Sequence, residues 1–218
     1  MAQPVKYIPA MGFFSLANLY DPLIKIGLRE TKFKTRLIHQ SNIQPSDHVL
    51  DLGCGTATLT LMIRSIFTQV RLVGLDGDRR ILTVANKKIG NLGLDIQLDE
   101  AFSFQMPSPN GFFDRVVSSL VLHHLSDEAQ CSTLQEAIRV LKPGGELHIA
   151  DFASPHGQRA HLTSHILGGV RPIIAEARLP LLESMSDAGF TSVKDWGRFF
   201  TFFGKIGFFS GAKPEQAT

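Results

Sequence analysis

The run Val49-Leu50-Asp51-Leu52-Gly53-Cys54-Gly55-Thr56-Ala57-Thr58 limits the fold of this chain more than any other stretch. Apolar residues lead into an acid, and two glycines follow with one residue between them. Leu59, Leu61, Met62, Ile63, Ile66 and Phe67 then supply a helix-forming run. The pattern reads as a buried strand ending at Leu52, a sharp turn through Gly53 to Gly55, and a helix beginning near Thr56 or Ala57. Glycine lets a backbone approach a ligand with no Cβ in the way. The amides of the helix start point into the same space, so a nucleotide-like ligand is expected at the carboxyl end of this strand. Thr58 stands where a dinucleotide fingerprint would have its third glycine, which leaves the phosphate-hugging form of the loop incomplete.

The 218 residues fit one sizeable domain with ample core. Hydrophobic content of 44% and charged content of 19% describe an ordinary globular protein. A net charge of +2 with scattered Lys and Arg makes no case for nucleic acid. Cys54 and Cys131 form neither a disulfide framework nor a zinc site, so no metal is expected and a reducing cytoplasm is the natural location. No apolar run approaches the roughly 20 residues that span a bilayer. The mildly apolar Ala10–Ala17 follows a single lysine, with Pro4 and Pro9 intruding, which counts against a secretion signal.

In chain order, residues 1–47 read as an N-terminal helical cap, with Leu16, Leu19, Leu23, Ile24 and Leu28 at helical spacing interrupted by Pro22. Phe33, Leu37 and Ile38 form a second pattern whose Lys32, Lys34 and Arg36 read as a solvated face. Residues 48–218 alternate strand and helix. Arg71–Asp76 is a second strand, Gly93–Leu98 a third, and the fourth starts at Phe113 and runs into Leu120–Leu125. A helix over Glu128–Leu141 is stopped by Lys142-Pro143-Gly144-Gly145, and Glu146–Phe152 is the fifth strand. This alternation predicts an α/β fold with a doubly wound, mostly parallel sheet. A lid insertion is expected at 153–178, then a helix over Leu179–Ala188, and Thr191–Phe199 with Phe203–Ala212 as an antiparallel finish. Asp76 lies about 20 residues beyond the glycine turn, where a carboxylate accepts the hydroxyls of a ribose. Asp76 or Asp78 could instead cap the helix starting at Arg79.

With these landmarks, the chain resembles the class I S-adenosylmethionine-dependent methyltransferases, over roughly residues 45–212. The resemblance rests on Val49–Thr56, Val73-Gly74-Leu75-Asp76, Phe113–Val116 with Leu122-His123-His124-Leu125, and Leu141-Lys142-Pro143-Gly144-Gly145. Among branches it looks most like the small-molecule enzymes of ubiquinone and menaquinone biosynthesis. The resemblance implies a Rossmann-like sheet of seven strands with a reversed last strand, and S-adenosyl-L-methionine as cofactor, leaving as S-adenosyl-L-homocysteine. It implies that Asp51, Gly53 and Gly55 line the methionine part and Asp76 holds the ribose, with Gly77 by the adenine. Ser119 and Leu120 would lie near the sulfonium, and Tyr20 would belong to a helix folded over the cofactor. One departure stands out. The family's adenine-contacting acid and small residue precede a Leu-Pro loop, and counting back from Pro107 finds Ala101 and Phe102 in that region, with Phe102 at the acid's place.

Methyl transfer from a sulfonium is an in-line displacement, so positioning is the main task. A base is needed only where the nucleophile's proton must leave early. His123, His124, His148, His161 and His165 are candidates, and His124 is the first choice; its other reading is a structural histidine. The expected acceptor is a small apolar or aromatic molecule. Phe199, Phe200, Phe202, Phe203, Phe208 and Phe209 read as strand core, as the edge of a homodimer, or, if exposed, as a wall for an apolar acceptor or a peripheral membrane contact. Two rival readings are an NAD-dependent oxidoreductase and a non-catalytic S-adenosylmethionine-binding subunit.

Overall fold

A computed structural model of the chain describes residues 29–153, 181–202 and 204–215. The expected helix through Leu16–Leu28, Tyr20, the lid beyond Ala153 with His161 and His165, and Phe203 lie outside the described residues. The elements in order are α1 (Glu30–Gln40), β1 (His48–Leu52), α2 (Thr58–Ile66), β2 (Arg71–Asp76), α3 (Arg79–Asn91) and β3 (Gln97–Glu100). They continue with β4 (Phe113–Ser119), a 3-10 turn (Leu122–His124), α4 (Asp127–Val140), β5 (Leu141–Phe152), α5 (Leu181–Asp187), β6 (Thr191–Thr201) and β7 (Gly204–Ala212).

Among the described residues the strands form one seven-stranded sheet in the order β3-β2-β1-β4-β5-β7-β6. β1 to β5 are parallel neighbours, and β7 runs antiparallel to both β5 and β6. This is the mostly parallel, doubly wound sheet with a reversed strand that the sequence predicts. Period-two alternation decides which side chain meets which helix layer. Val49, Leu72, Val117, Ala150 and Phe208 join Phe33 and Leu37 of α1, Ile63 of α2 and Ala85 of α3 in one core. Their neighbours Leu50, Val73, Val116, Ile149 and Phe209 join Leu134 and Ala137 of α4 and Met185 of α5 in the other.

Several boundaries differ from the sequence reading for identifiable reasons. Helix α2 starts at Thr58 because the Ala57 amide closes a turn onto the Cys54 carbonyl and Ala57 is left-handed, with φ of 61°. β3 begins at Gln97, not Gly93: Gly93 (φ 63°) and Leu94 terminate α3, the Leu94 amide bonding the Ile89 carbonyl. β4 stops at Ser119, because Leu120 turns to φ of 60°. The Pro143-Gly144-Gly145 stop is a bulged start of β5, held by paired backbone bonds between Gly144, Gly145 and Lys213. In this register Phe113 pairs with Leu141 and Arg115 with Glu146.

The charged face of α1 is not simply solvated. Lys34 is buried and pairs with Glu30. Arg36 donates to the Trp196 and Arg198 carbonyls and lies 4.3 Å from the centre of the Phe208 ring. That side chain therefore fastens α1 to β6, the outermost strand. Arg36→Ala is expected to lower unfolding free energy by about 1–2 kcal/mol, the scale of a charge-assisted hydrogen bond with a cation–π contact. Urea denaturation measures this, and Arg36→Lys should recover less than half, since a point charge cannot reach both carbonyls and the ring. A loss within error of zero would mean α1 is held by its apolar face alone.

Candidate active site

The carboxyl ends of β1, β2, β3 and β4 meet at one edge, where the strand order reverses between β1 and β4. In open α/β sheets ligands bind in the crevice at such a switch point. The glycine turn forms its floor. The Gly53 and Cys54 amides both donate to the Leu75 carbonyl, at 2.8 and 2.9 Å, tying the turn to the end of β2. A Cβ on Gly53 would fall 2.2 Å from a Val121 methyl, so this glycine exists to let the loop after β4 close on the turn. Gly55 (φ 55°) faces open space. Both glycines turn the chain, and Gly53 (φ 73°) also makes room for Val121.

Asp76 ends β2 and joins the parts. Its Oδ2 accepts the Gly55 amide at 2.9 Å and its Oδ1 accepts the Asp78 amide at 2.9 Å. The cap of α3 is Asp78, whose carboxylate accepts the Arg80 amide. Burial pushes the Asp76 carboxyl up, opposed by the Asp78 and Gly55 amides. Each carboxylate oxygen keeps a further lone pair for a hydroxyl donor.

A Cβ on Gly77 would stand 3.0 Å from the Phe102 ring, so any side chain there would press on that ring. Phe102 is 39% exposed and stacks on Phe104, centroids 5.2 Å apart and 3° from parallel. The Ala101 amide bonds the Asp76 carbonyl, which aligns this loop with the end of β2. Asp99 turns to Gln97 and Glu100 lies 3.8 Å from exposed Arg79, so a flat aromatic pair, not an acid, borders Gly77.

Asp51 sits beneath the turn, 1% exposed, and its Oδ2 accepts the Thr60 hydroxyl at 2.6 Å. Burial pushes its carboxyl up to about 6, against the pull of Thr60 and the charge of Lys34. On the other side of the switch point, Ser119 and left-handed Leu120 end β4, and the Leu120 amide bonds the Ala150 carbonyl. Left-handed Ala57 and Leu120 thus flank the crevice, a form of local strain that gathers at functional sites.

His124 is not at the end of β4; it is the exposed last residue of the 3-10 turn that follows. His148 lies within the sheet, bonded to Glu146 at 3.1 Å and beside Gln40. The loop after β4 is organised by a residue that sequence reasoning missed, Asp151 of β5. It is 3% exposed, and its Oδ2 accepts the Val121, Leu122 and His123 amides at 3.2, 2.7 and 3.3 Å. Its Oδ1 accepts the Phe152 amide and lies 2.6 Å from His123 Nδ1. Burial alone would raise this carboxyl, but the His123 imidazole and these donors hold it below its usual range. The missed signal was in the chain: Asp151, like Asp51 and Asp76, is an acid ending an apolar strand.

Residues 49–145, from β1 to the start of β5, match a family described as a methyltransferase domain. Over these residues the chain is similar to the class I S-adenosylmethionine-dependent methyltransferases. It is 31% identical over 149 residues to a demethylmenaquinone methyltransferase of Lactobacillus johnsonii, covering 66% of this chain and 60% of that protein. A second demethylmenaquinone methyltransferase, from Thermus thermophilus, is 30% identical over 66% of this chain and 65% of that one. The chain thus spans less than two thirds of these curated relatives. Among solved structures, an Aquifex aeolicus S-adenosylmethionine-dependent methyltransferase superposes with a TM-score of 0.67 at 18% identity, over 91% of this chain and 97% of that one. The [4+2]-cyclase SpnF gives 0.71 at 18% identity, over 84% and 81%. At such identities these two establish the fold alone.

Asp51 yields a test of the electrostatics at this edge. Its folded value of about 6 exceeds the ordinary 3.8, so the folded state holds the proton through that window. The resulting stability is complete below about pH 4 and is lost as pH rises through 6; beyond that the ionised carboxylate costs up to about 3 kcal/mol. Asp51→Asn should therefore stabilise the ligand-free protein at pH 7.5 by about 1–3 kcal/mol and flatten stability between pH 4 and 6. Urea titrations at several pH values read both effects. Destabilisation at pH 7.5 would show that the charge is already matched in the fold.

Proposed function

We propose that this chain transfers a methyl group from S-adenosylmethionine to a small apolar or aromatic acceptor of the quinol type. The observation that carries the reading is the join at the end of β2. There the Asp76 carboxylate fixes the Gly55 amide, and the exposed Phe102 ring borders Gly77. Asp76 would take the ribose hydroxyls, and Phe102, replacing the family's acid, would stack on the adenine. Ser119 and Leu120 would border the sulfonium and its amino-acid tail. The ligand is a cation with a further ammonium, which gives the buried Asp51 carboxylate a partner across the turn. When bound, it supplies an electrophilic methyl group; the chain's part is to align the acceptor and to exclude water.

The acceptor class is supported by the relatives named for demethylmenaquinone and by the C-terminal phenylalanines. Phe208 and Phe209 are buried, whereas Phe200 and Phe202 at the β6–β7 turn are 66% and 88% exposed. This turn lies at the same edge as the crevice: the Ala153 amide bonds the Lys205 carbonyl, and Gly204 abuts Phe152. Lys205 lies 5.3 Å from the Phe200 ring. Aromatic rings with a cation beside them suit a peripheral contact where apolar acceptors dissolve. No helix among the described residues is long and apolar enough to cross a membrane. Both cysteines are unpaired, in keeping with a reducing cytoplasm.

Two measurements test the reading. Asp76→Ala is expected to weaken S-adenosylhomocysteine binding by about 1–3 kcal/mol in calorimetry, the scale of charge-assisted hydrogen bonds; unchanged affinity removes Asp76 from the ribose site. Incubation with methyl-labelled S-adenosylmethionine and a metabolite extract should put label in the organic phase. Label confined to the aqueous phase would replace the apolar acceptor with a polar one. No label with S-adenosylhomocysteine still bound would favour a non-catalytic subunit.

A further inference from the structure

We propose that His123, held by Asp151, is the base of this site, and that the acceptor's nucleophile therefore carries an acidic hydrogen, as a phenol or hydroquinone does. This rests on the methyl-transfer reading above. Three observations converge on His123. Its Nδ1 lies 2.6 Å from Asp151 Oδ1, and the same carboxylate collects the amides of Val121, Leu122 and His123 itself. A carboxylate so supplied with donors stays ionised, so Nδ1 keeps its hydrogen and Nε2 is left as the nitrogen able to take a proton. Second, the Phe152 ring stands edge-on at 5.0 Å and the His124 ring lies 3.9 Å away, which fixes the imidazole plane. Third, the turn carrying His123 also carries Val121, the residue seated on Gly53, so this imidazole and the glycine turn are set by one packed unit.

The balance of the step is simple. An electron pair of the acceptor, a lone pair on oxygen or the π pair of the ring carbon that the oxygen activates, would form the new bond to the methyl carbon. The carbon–sulfur pair leaves with sulfur as a neutral thioether. His123 Nε2 accepts the acceptor's proton, and the imidazolium, stabilised by Asp151, returns it to water after product release. No oxidant or further reactant is required. Asp151 acts through His123 and is a positioning residue.

The test combines a spectroscopic readout with turnover. In protein labelled with 15N-histidine, His123 should be the Nδ1–H tautomer at pH 7.5, and Asp151→Asn should abolish that state. An Nε2–H tautomer in the unaltered protein overturns the proposal. His123→Ala should slow label transfer in the extract survey by about 10²–10⁴-fold, the usual weight of a positioned base, while S-adenosylhomocysteine affinity stays within about twofold. Asp151→Glu, which keeps the charge where Asp151→Asn could fail to fold, should recover part of the rate lost in Asp151→Asn. Equal label transfer by His123→Ala and the unaltered protein overturns the dyad and leaves methyl transfer standing. A larger loss in His124→Ala than in His123→Ala returns the base to His124. Absence of both label transfer and S-adenosylhomocysteine binding in the unaltered protein overturns the methyl-transfer reading itself, and the dyad with it.

Discussion

The carboxyl edge of this sheet depends on buried acids that take the backbone amides of the loops above them. A loop leaving a parallel strand carries donors with no ladder partner, and burying them unpaired costs about 1–3 kcal/mol each. Asp76 takes two such amides, Gly55 and Asp78, from loops after different strands. Asp151 takes four, three of them from the turn after β4. The crevice is therefore shaped by strands reaching across to their neighbours' loops, and its geometry is as rigid as the sheet. A ligand meeting such an edge finds most donors already oriented, which is what a reaction governed by alignment requires.

The two most buried acids of the edge are held in opposite electrostatic conditions. Asp151 has donors enough to keep its charge despite burial, and its carboxyl is held low. Asp51 has the hydroxyl and the backbone amide of Thr60 and the charge of Lys34, and burial still raises its carboxyl. A fold selected for stability alone would place an amide at Asp51. Perturbed acids gather where chemistry is done, and these two lie at the same edge of the sheet with shifts of opposite direction.

Much of the fold was legible because the alternation of apolar residues fixes which strand face meets which helix layer. Val49 and Leu50, Val116 and Val117, and Phe208 and Phe209 divide between the two cores as period two demands. What the chain could not disclose were the ends of elements. Ala57 and Leu120 carry no glycine signal, yet both are left-handed. Arg36 looked like a solvated charge, since the carbonyls it reaches are about 160 residues away. The glycine turn, Asp76 and Gly77 were visible as local pattern. Asp151 was visible only by analogy with the acids ending β1 and β2, and its partner turn lies some 30 residues earlier.

That difference bears on how function is carried by a fold of this kind. The β1–β2 half of the crevice is built from contacts local to those strands, and short motifs report it. The other half is built where the turn after β4 meets the end of β5, a contact between segments far apart in sequence. A [4+2]-cyclase shares this sheet, so the sheet does not choose the reaction. The choice falls to groups such as the imidazole in the turn after β4. A base held there by a carboxylate favours an acceptor with an acidic hydrogen, whereas the same turn without one would serve a nucleophile that needs no deprotonation.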